Sequence, residues 1–203
     1  MDPKSIVRNG YDRIGDGYRD WSAIAGDATR RWFLSEVFQR IPSGSDVLEL
    51  GCGPGVDAIQ LAAGRRYVGV DISPRMILLA RARVPTGTFI ECDLAALERP
   101  KDPVDAVVSI FVFGHLPPEE HLPTLARIFG WLRPGGLLCA SFPSGAHEDV
   151  EDDFIGVPMY FGGIGHAPTL TGLEQIGFEV ELAEVRTDGE DSSFLWVIAR
   201  KPT

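Results

Sequence analysis

The residues best suited to chemistry follow short apolar runs in the first half of the chain. A glycine-rich turn, Gly51-x-Gly53-x-Gly55, comes directly after the apolar run at residues 47–50. Glycine allows a tight turn and lets a ligand approach the backbone without meeting a Cβ. At the carboxyl end of a buried strand such a turn predicts a ligand site, although a lone Gly-x-Gly also occurs in ordinary turns.

Two acidic residues after the next apolar runs extend this pattern. Asp71 follows the run at residues 67–70, and Asp93 follows the run at residues 88–90. A carboxylate at the first position can accept hydrogen bonds from both hydroxyls of a ribose, and one at the second can accept from the amino group of adenine. Each has a structural alternative, a helix N-cap for Asp71 and a turn residue for Asp93. Together the three strand ends predict an adenosine site.

The glycine spacing narrows the class of ligand. It is not the Gly-x-Gly-x-x-Gly pattern typical of dinucleotide sites, and no Gly-Lys-Ser/Thr follows it as in a phosphate-binding P-loop. A nicotinamide-dependent oxidoreductase is therefore the less favoured enzyme class.

The elements that must position these residues alternate between apolar strands and amphipathic helices. Continuously apolar strands are buried on both faces, which predicts a mainly parallel sheet with helices on each side. The fold class is α/β, doubly wound, with seven strands and a C-terminal antiparallel hairpin at residues 178–186 and 194–201. The other strands are predicted at 47–50, 67–70, 88–90, 104–111 and 137–142, and helices at 56–63, from 74, at 118–132 and at 168–176.

Two segments lie outside this alternation. Residues 1–42 predict one or two helices, with Trp32, Phe33, Val37 and Phe38 as their apolar face. Residues 143–166 are rich in Gly, Pro, acidic and aromatic residues and are expected to form an irregular loop. We interpret residues 1–203 as one domain, in which residues 1–42 are a helical cover and residues 143–166 cover the substrate.

Composition limits the partners. The net charge of −10 disfavours nucleic acid, and no uncharged apolar stretch reaches the ~18 residues of a membrane span. The N-terminus lacks the apolar core of a signal peptide, so we expect a cytoplasmic protein. Cys52, Cys92 and Cys139 lack metal-ligand spacing and are expected to be reduced structural thiols, with no metal site. The sequence leaves the oligomeric state open.

In order and spacing, the motifs resemble those of the class I methyltransferases that use S-adenosyl-L-methionine. The first two motifs of that family resemble residues 47–55 and 68–73, and later ones resemble Asp93, residues 104–109 and residues 132–136. The resemblance covers about residues 44–142, and the strands at 177–180 and 196–199 fit the family's C-terminal hairpin. It implies S-adenosyl-L-methionine as the cofactor.

The resemblance also implies which residues hold each part of the cofactor. The methionine and ribose part of the cofactor would be faced by Glu49, Gly51, Cys52, Gly53 and Gly55. Asp71 would bind the ribose hydroxyls, Ile72 and Met76 would lie beside the adenine, Asp93 and Leu94 would bind its edge, and Ser109 and Ile110 would line the methionyl side. Tyr11 and Tyr18 resemble a segment that closes over the cofactor in small members, with packing of a surface helix as the alternative.

The segment after the fourth strand, residues 111–117, faces the expected position of the methyl group. It is apolar and aromatic, and it departs from the Asn/Asp-Pro-Pro-Tyr motif of methyltransferases that act on adenine or glutamine nitrogen. This favours a small-molecule acceptor with an O or N nucleophile, methylated by in-line displacement. His115 is the candidate general base, needed only if the acceptor must lose a proton, and packing of the next helix is its alternative role. A competing function is a cofactor-binding or regulatory relative without catalysis.

Overall fold

The computed structural model describes residues 2–18, 27–188 and 192–203. The helices of this part are α1 (Pro3–Ile14), α2 (Asp27–Phe38), α3 (Ala58–Leu61), α4 (Pro74–Arg83), α5 (Pro118–Trp131) and α6 (His166–Ile176), with 3₁₀ turns at Leu94–Ala96 and Phe113–His115. The strands are β1 (Asp46–Leu50), β2 (Arg66–Asp71), β3 (Thr88–Glu91), β4 (Val104–Ser109), β5 (Leu132–Pro143), β6 (Ala146–Phe154), β7 (Val157–Ile164), β8 (Glu179–Asp188) and β9 (Ser192–Arg200).

Seven of these strands form one sheet in the order β3-β2-β1-β4-β5-β9-β8. The first five are parallel, and β9 runs antiparallel to both β5 and β8. The predicted doubly wound sheet with its C-terminal hairpin is therefore confirmed. The strand order reverses between β1 and β4, where Glu49 lies opposite Val108. The glycine turn after β1 and the segment after β4 consequently emerge side by side, which is where open sheets of this type bind ligands.

Helices cover both faces of the sheet. One face packs against α2, α3 and α4, and the other packs against α5 and α6. Within the apolar face predicted for residues 1–42, Phe33 and Val37 are fully buried on the first side, whereas Trp32 and Phe38 are partly buried. The helix predicted at 56–63 is shorter than expected: only residues 58–61 form α3.

The prediction of an irregular loop at residues 143–166 is wrong. Strands β6 and β7 form an antiparallel hairpin there, with Ile155 and Gly156 at positive φ in the two-residue turn. Such turns favour Asn-Gly or Asp-Gly, so Ile-Gly gives a weak turn signal. The residues of β6 before Phe154 are all exposed, and a strand without a buried face has no alternation in hydropathy to reveal it.

Helix α1 packs against this hairpin and, with it, forms a unit that we call the cover, residues 3–14 and 146–164. Val7 of α1 joins Val157, Met159 and Tyr160 of β7 in a small apolar cluster separate from the two cores of the sheet. Gly10 is buried so close to Met159 that an added Cβ would lie 2.7 Å from its Cε.

Polar contacts tie α1 to the sheet. Lys4 Nζ lies 2.8 Å from a carboxylate oxygen of Glu120, and Arg8 pairs with Glu91 at 2.9 Å. Asp12 accepts a 2.6 Å hydrogen bond from Ser73 Oγ. Exposed ion pairs contribute little each, so α1 is held mainly through the apolar contacts of the cover.

Candidate functional site

A cleft lies beneath α1, at the carboxyl ends of β1, β2 and β4. Of the residues predicted from sequence, those lining it are Tyr11, Tyr18, Gly51, Gly53, Asp71, Ile72, Met76, Asp93, Leu94, Ile110 and His115. The other four, Glu49, Cys52, Gly55 and Ser109, are buried beside the cleft and do not line it. The structure therefore brings most of the predicted residues to one place.

The glycine turn shapes the floor of this cleft. Gly51 and Gly53 have φ angles of 67° and 50°, a region that other residues rarely adopt. A Cβ on Gly51 would lie 2.2 Å from Cγ2 of Val112, so only glycine lets the segment after β4 pass over the turn. At Gly53 the nearest atom to an added Cβ is Cε1 of Tyr18, 3.8 Å away. A methyl group there would occupy the space between the turn and Tyr18.

We expect Gly51→Ala to unfold at a lower temperature than the matched control Gly44→Ala. Both residues have positive φ, which costs an alanine about 1–2 kcal/mol, but an added Cβ on Gly44 has no atom within 4 Å. The collision with Val112 should add roughly 1–3 kcal/mol to the loss in Gly51→Ala. Thermal unfolding of both variants measures the difference, and equal melting temperatures would contradict the close approach of Val112.

Asp71 is fixed in orientation by the backbone. Its two carboxylate oxygens accept 2.9 Å hydrogen bonds from the N–H groups of Gly53 and Ser73, and only 8% of the residue is exposed. Burial raises the pKa of Asp71 to about 6, although the backbone hydrogen bonds offset part of that rise. The N-cap of α4 is Ser73, whose hydroxyl accepts from the N–H of Met76, so Asp71 does not serve as the cap.

The end of the cleft near β3 has apolar walls and one acidic residue. Asp93 caps the 3₁₀ turn by accepting a 2.9 Å hydrogen bond from the N–H of Ala95, and it lies 3.5 Å from Lys4 Nζ. Sequence reasoning missed Lys4 and Val7, both of which line the cleft. The sequence does contain a signal for Lys4 and Val7, since positions 4, 7 and 11 share one face of a helix.

Several polar side chains are buried near the glycine turn and the end of β4. Glu49 accepts a short hydrogen bond from the hydroxyl of Tyr67, and burial followed by repulsion from Asp57 raises the pKa of Glu49 well above its usual range. Arg30 lies 3.8 Å from Asp57. The hydroxyl of Ser109 is fully buried and has no hydrogen-bond partner among the described residues. Contacts of Glu49 and Ser109 with a cofactor stay predictions.

Backbone strain marks the end of β4. Phe111 has a φ angle of 61°, a conformation that costs a residue other than glycine about 1–3 kcal/mol. Its N–H donates a 2.8 Å hydrogen bond to Ser141 Oγ, and its ring packs against Phe194 and Trp196. These contacts hold the turn that directs the following segment, including Val112, across the cleft.

His115 lies in the cleft as predicted, with both ring nitrogens engaged. Nδ1 is 2.9 Å from the carbonyl oxygen of Tyr160, and Nε2 is 2.6 Å from the hydroxyl of Tyr11. A carbonyl can only accept, so Nδ1 carries the hydrogen and the Tyr11 hydroxyl donates to Nε2. Burial lowers the pKa of His115 to about 4, far below the value near 6.5 that suits a general base at neutral pH.

Other features of the described residues concern metals, thiols and membranes. No group of three or more His, Cys, Asp or Glu side chains in residues 2–18, 27–188 and 192–203 is arranged to hold a metal ion. The three cysteines are free thiols, with Cys52 and Cys139 buried and Cys92 partly buried. None of the helices in these ranges is long and apolar enough to cross a membrane.

Comparison with known proteins identifies the family. Residues 47–136 match the family described as "Methyltransferase domain". A probable S-adenosylmethionine-dependent methyltransferase from Mycolicibacterium smegmatis is 34% identical over 156 residues, which cover 74% of this chain and 60% of that protein. Residues 47–136 are therefore a methyltransferase domain, and the relatives of the chain support the class I S-adenosylmethionine-dependent methyltransferases as its family.

Further relatives of the chain are named for a small molecule. A trans-aconitate 2-methyltransferase from Methylobacterium radiotolerans is 35% identical over 122 residues, covering 58% of this chain and 46% of that protein. The chain thus spans about half to three fifths of the length of these two relatives.

Solved structures share the fold of this chain. Magnesium protoporphyrin IX methyltransferase from Synechocystis PCC 6803 with bound SAM matches with a TM-score of 0.72, at 21% identity over 99% of this chain and 98% of that one. The N-methyltransferase NodS from Bradyrhizobium japonicum, in complex with S-adenosyl-L-homocysteine, matches with a TM-score of 0.77, at 16% identity over the full length of both chains.

Proposed function

We propose that this chain binds S-adenosyl-L-methionine in the cleft and transfers its methyl group to a small-molecule acceptor with an O or N nucleophile. The observation that carries the proposal is the arrangement of Asp71, whose buried carboxylate is fixed by the N–H groups of Gly53 and Ser73 at the edge of the cleft. Each of its oxygens retains a lone pair beyond these bonds, so a ribose can donate from both hydroxyls.

The other residues of the cleft fit an adenosine ligand. Gly53 leaves open space above the turn, where a Cβ would stand in the way. Ile72, Met76 and Leu94 give apolar walls on the β2 and β3 side, against which an adenine ring can pack. Asp93 offers a second acidic side chain on that side beside Asp71, although it also caps the 3₁₀ turn.

The chemistry divides between cofactor and protein. When bound, the cofactor supplies an electrophilic methyl group on a positively charged sulfur. The protein's residues orient the reactants and keep water away. Phe111, Val112 and Leu116 give an apolar wall beside His115, and α1 lines the cleft with Lys4, Val7 and Tyr11.

The comparisons support a small acceptor. Trans-aconitate and magnesium protoporphyrin IX stand in the names of two proteins that resemble this one. We therefore propose a small-molecule acceptor, one domain over residues 1–203 with residues 143–166 covering the substrate, and a cytoplasmic location. The net charge of −10 opposes a nucleic-acid acceptor.

Product analysis tests this proposal. The full chain is incubated with methyl-labelled S-adenosyl-L-methionine and separate pools of small amines, thiols, carboxylates including trans-aconitate, and alcohols. We expect at least one pool to yield S-adenosyl-L-homocysteine together with a labelled product. Tight binding of the cofactor with no transfer to any pool would instead support the competing function, a binding protein without catalysis.

We expect the affinity for S-adenosyl-L-homocysteine to fall as the pH drops below about 6. Ribose hydroxyls donate to the ionised carboxylate of Asp71, whose pKa is about 6, so protonation removes an acceptor that the ligand needs. The dissociation constant should be nearly constant from about pH 7 to 8 and rise by up to about tenfold per pH unit below 6. Calorimetry across this range measures the effect, and the Asp71→Ala variant is expected to lack it.

A further inference from the structure

We infer that Tyr11 and His115 position the reactants instead of removing a proton, and that the acceptor atom carries its lone pair unaided, as an amine nitrogen or a carboxylate oxygen does. The acceptor class rests on the proposed function, because it presumes methyl transfer in this cleft. The role of the pair rests on its hydrogen bonds alone.

Both nitrogens of His115 are occupied by protein groups. Nδ1 donates a 2.9 Å hydrogen bond to the carbonyl oxygen of Tyr160 on β7, and Nε2 accepts a 2.6 Å hydrogen bond from the hydroxyl of Tyr11. The ring is also held by Phe161, whose centroid lies 5.0 Å from that of the imidazole. A histidine in this arrangement has no free nitrogen lone pair to offer an acceptor.

The hydrogen bonds of the pair run in one direction, from the Tyr11 hydroxyl through His115 to the carbonyl of Tyr160 on β7. The hydroxyl of Tyr11 donates its hydrogen bond to His115. Tyr18 must therefore be the donor in the hydrogen bond that it shares with Tyr11. What the pair presents to the cleft is therefore the Tyr11 oxygen, held in place by His115. Burial lowers the pKa of His115 and raises that of Tyr11, which makes passage of a proton along the pair still less favourable.

The reaction balances without a protein base for such acceptors. The lone pair of the acceptor atom forms the new bond to the methyl carbon while the carbon–sulfur bond breaks, and the electron pair of that bond stays on sulfur. A carboxylate becomes neutral in this step, whereas an amine becomes a cation that loses its proton to water afterwards. An alcohol would need its proton removed as it attacks, but neither nitrogen of His115 has a free lone pair, and a proton relayed through the Tyr11 hydroxyl would leave a charged imidazole buried.

The decisive variants are His115→Ala and His115→Gln, with His147→Gln, on the exposed strand β6, as the matched control. A glutamine oxygen accepts a hydrogen bond from Tyr11 but cannot take up a proton. Turnover of the acceptor pools with S-adenosyl-L-methionine should fall at least tenfold in His115→Ala. His115→Gln should recover most of that loss, and transfer should occur to amines or carboxylates. Transfer to alcohols, or a His115→Gln variant as slow as His115→Ala, would overturn the inference.

A second measurement tests the pair without any acceptor. The chain has four histidines, and nitrogen NMR of ¹⁵N-histidine-labelled protein, assigned with the glutamine variants, reports the tautomer of each. We expect His115 to stay neutral with hydrogen on Nδ1 from about pH 5.5 to 8.5, and Tyr11→Phe to shift its Nε2 signal. Hydrogen on Nε2, or titration of His115 near pH 6.5, would overturn the hydrogen-bond arrangement inferred for Tyr11 and His115. A parent protein that forms no S-adenosyl-L-homocysteine with any pool would instead overturn the proposed function and the acceptor class.

Discussion

A protein lacking residues 1–20 is expected to bind S-adenosyl-L-homocysteine about 100-fold more weakly than the full chain and to show no measurable turnover. The deletion removes four residues that line the cleft, Lys4, Val7, Tyr11 and Tyr18. A loss of about 100-fold corresponds to about 2.7 kcal/mol, which a few lost hydrogen bonds and apolar contacts readily supply. Turnover should suffer further because His115 loses the hydroxyl of Tyr11.

The truncated protein should remain folded, since the two cores of the sheet contain no residue of α1. Circular dichroism and thermal unfolding provide this control, and calorimetry with S-adenosyl-L-homocysteine provides the test. Arg13→Ala, an exposed position on α1, is the matched variant that should bind as the parent does. Parental affinity and turnover in the truncated protein would show that α1 does not cover the cofactor.

Asp71→Ala is expected to weaken binding of S-adenosyl-L-methionine by roughly 10- to 150-fold. The substitution removes an acceptor of charge-assisted hydrogen bonds, which contribute about 1.5–3 kcal/mol. It also frees the N–H of Gly53, so the glycine turn loses the contact that orients it.

Asp102→Ala provides the matched control, because Asp102 is exposed in the loop before β4. Both variants should be compared by calorimetry near pH 7.5, well above the pKa of about 6 that burial gives Asp71. An Asp71→Ala protein that is folded and binds as tightly as Asp102→Ala would remove Asp71 from the site.

The sequence was sufficient to predict the positions that follow β1, β2 and β3. Apolar strands and glycine turns are local signals, and the rule that parallel strands end at one edge of the sheet brings Gly53 and Asp71 together. The resemblance to the methyltransferase family placed Glu49 and Ser109 in the site as well, whereas the structure buries both beside the cleft. Which face of a buried strand points to a ligand depends on packing that a short apolar run does not specify.

The cover shows what the sequence left hidden. The charged strand β6 lacks alternation, so the hairpin was not predicted, and its partner β7 supplies the carbonyl of Tyr160. That carbonyl comes from a residue far along the chain from His115, yet it decides which nitrogen of the ring carries the hydrogen. A histidine in a sequence therefore suggests a base until the groups around it are known.

Calorimetric titration of the full chain tests the central claim most directly, with S-adenosyl-L-homocysteine in one experiment and NAD in a second, at the same pH and salt concentration. The account predicts one site with a dissociation constant in the micromolar range for the first ligand and no heat of binding for the second. Binding of NAD, or no binding of S-adenosyl-L-homocysteine by the folded protein, would contradict the assignment of this cleft to S-adenosyl-L-methionine.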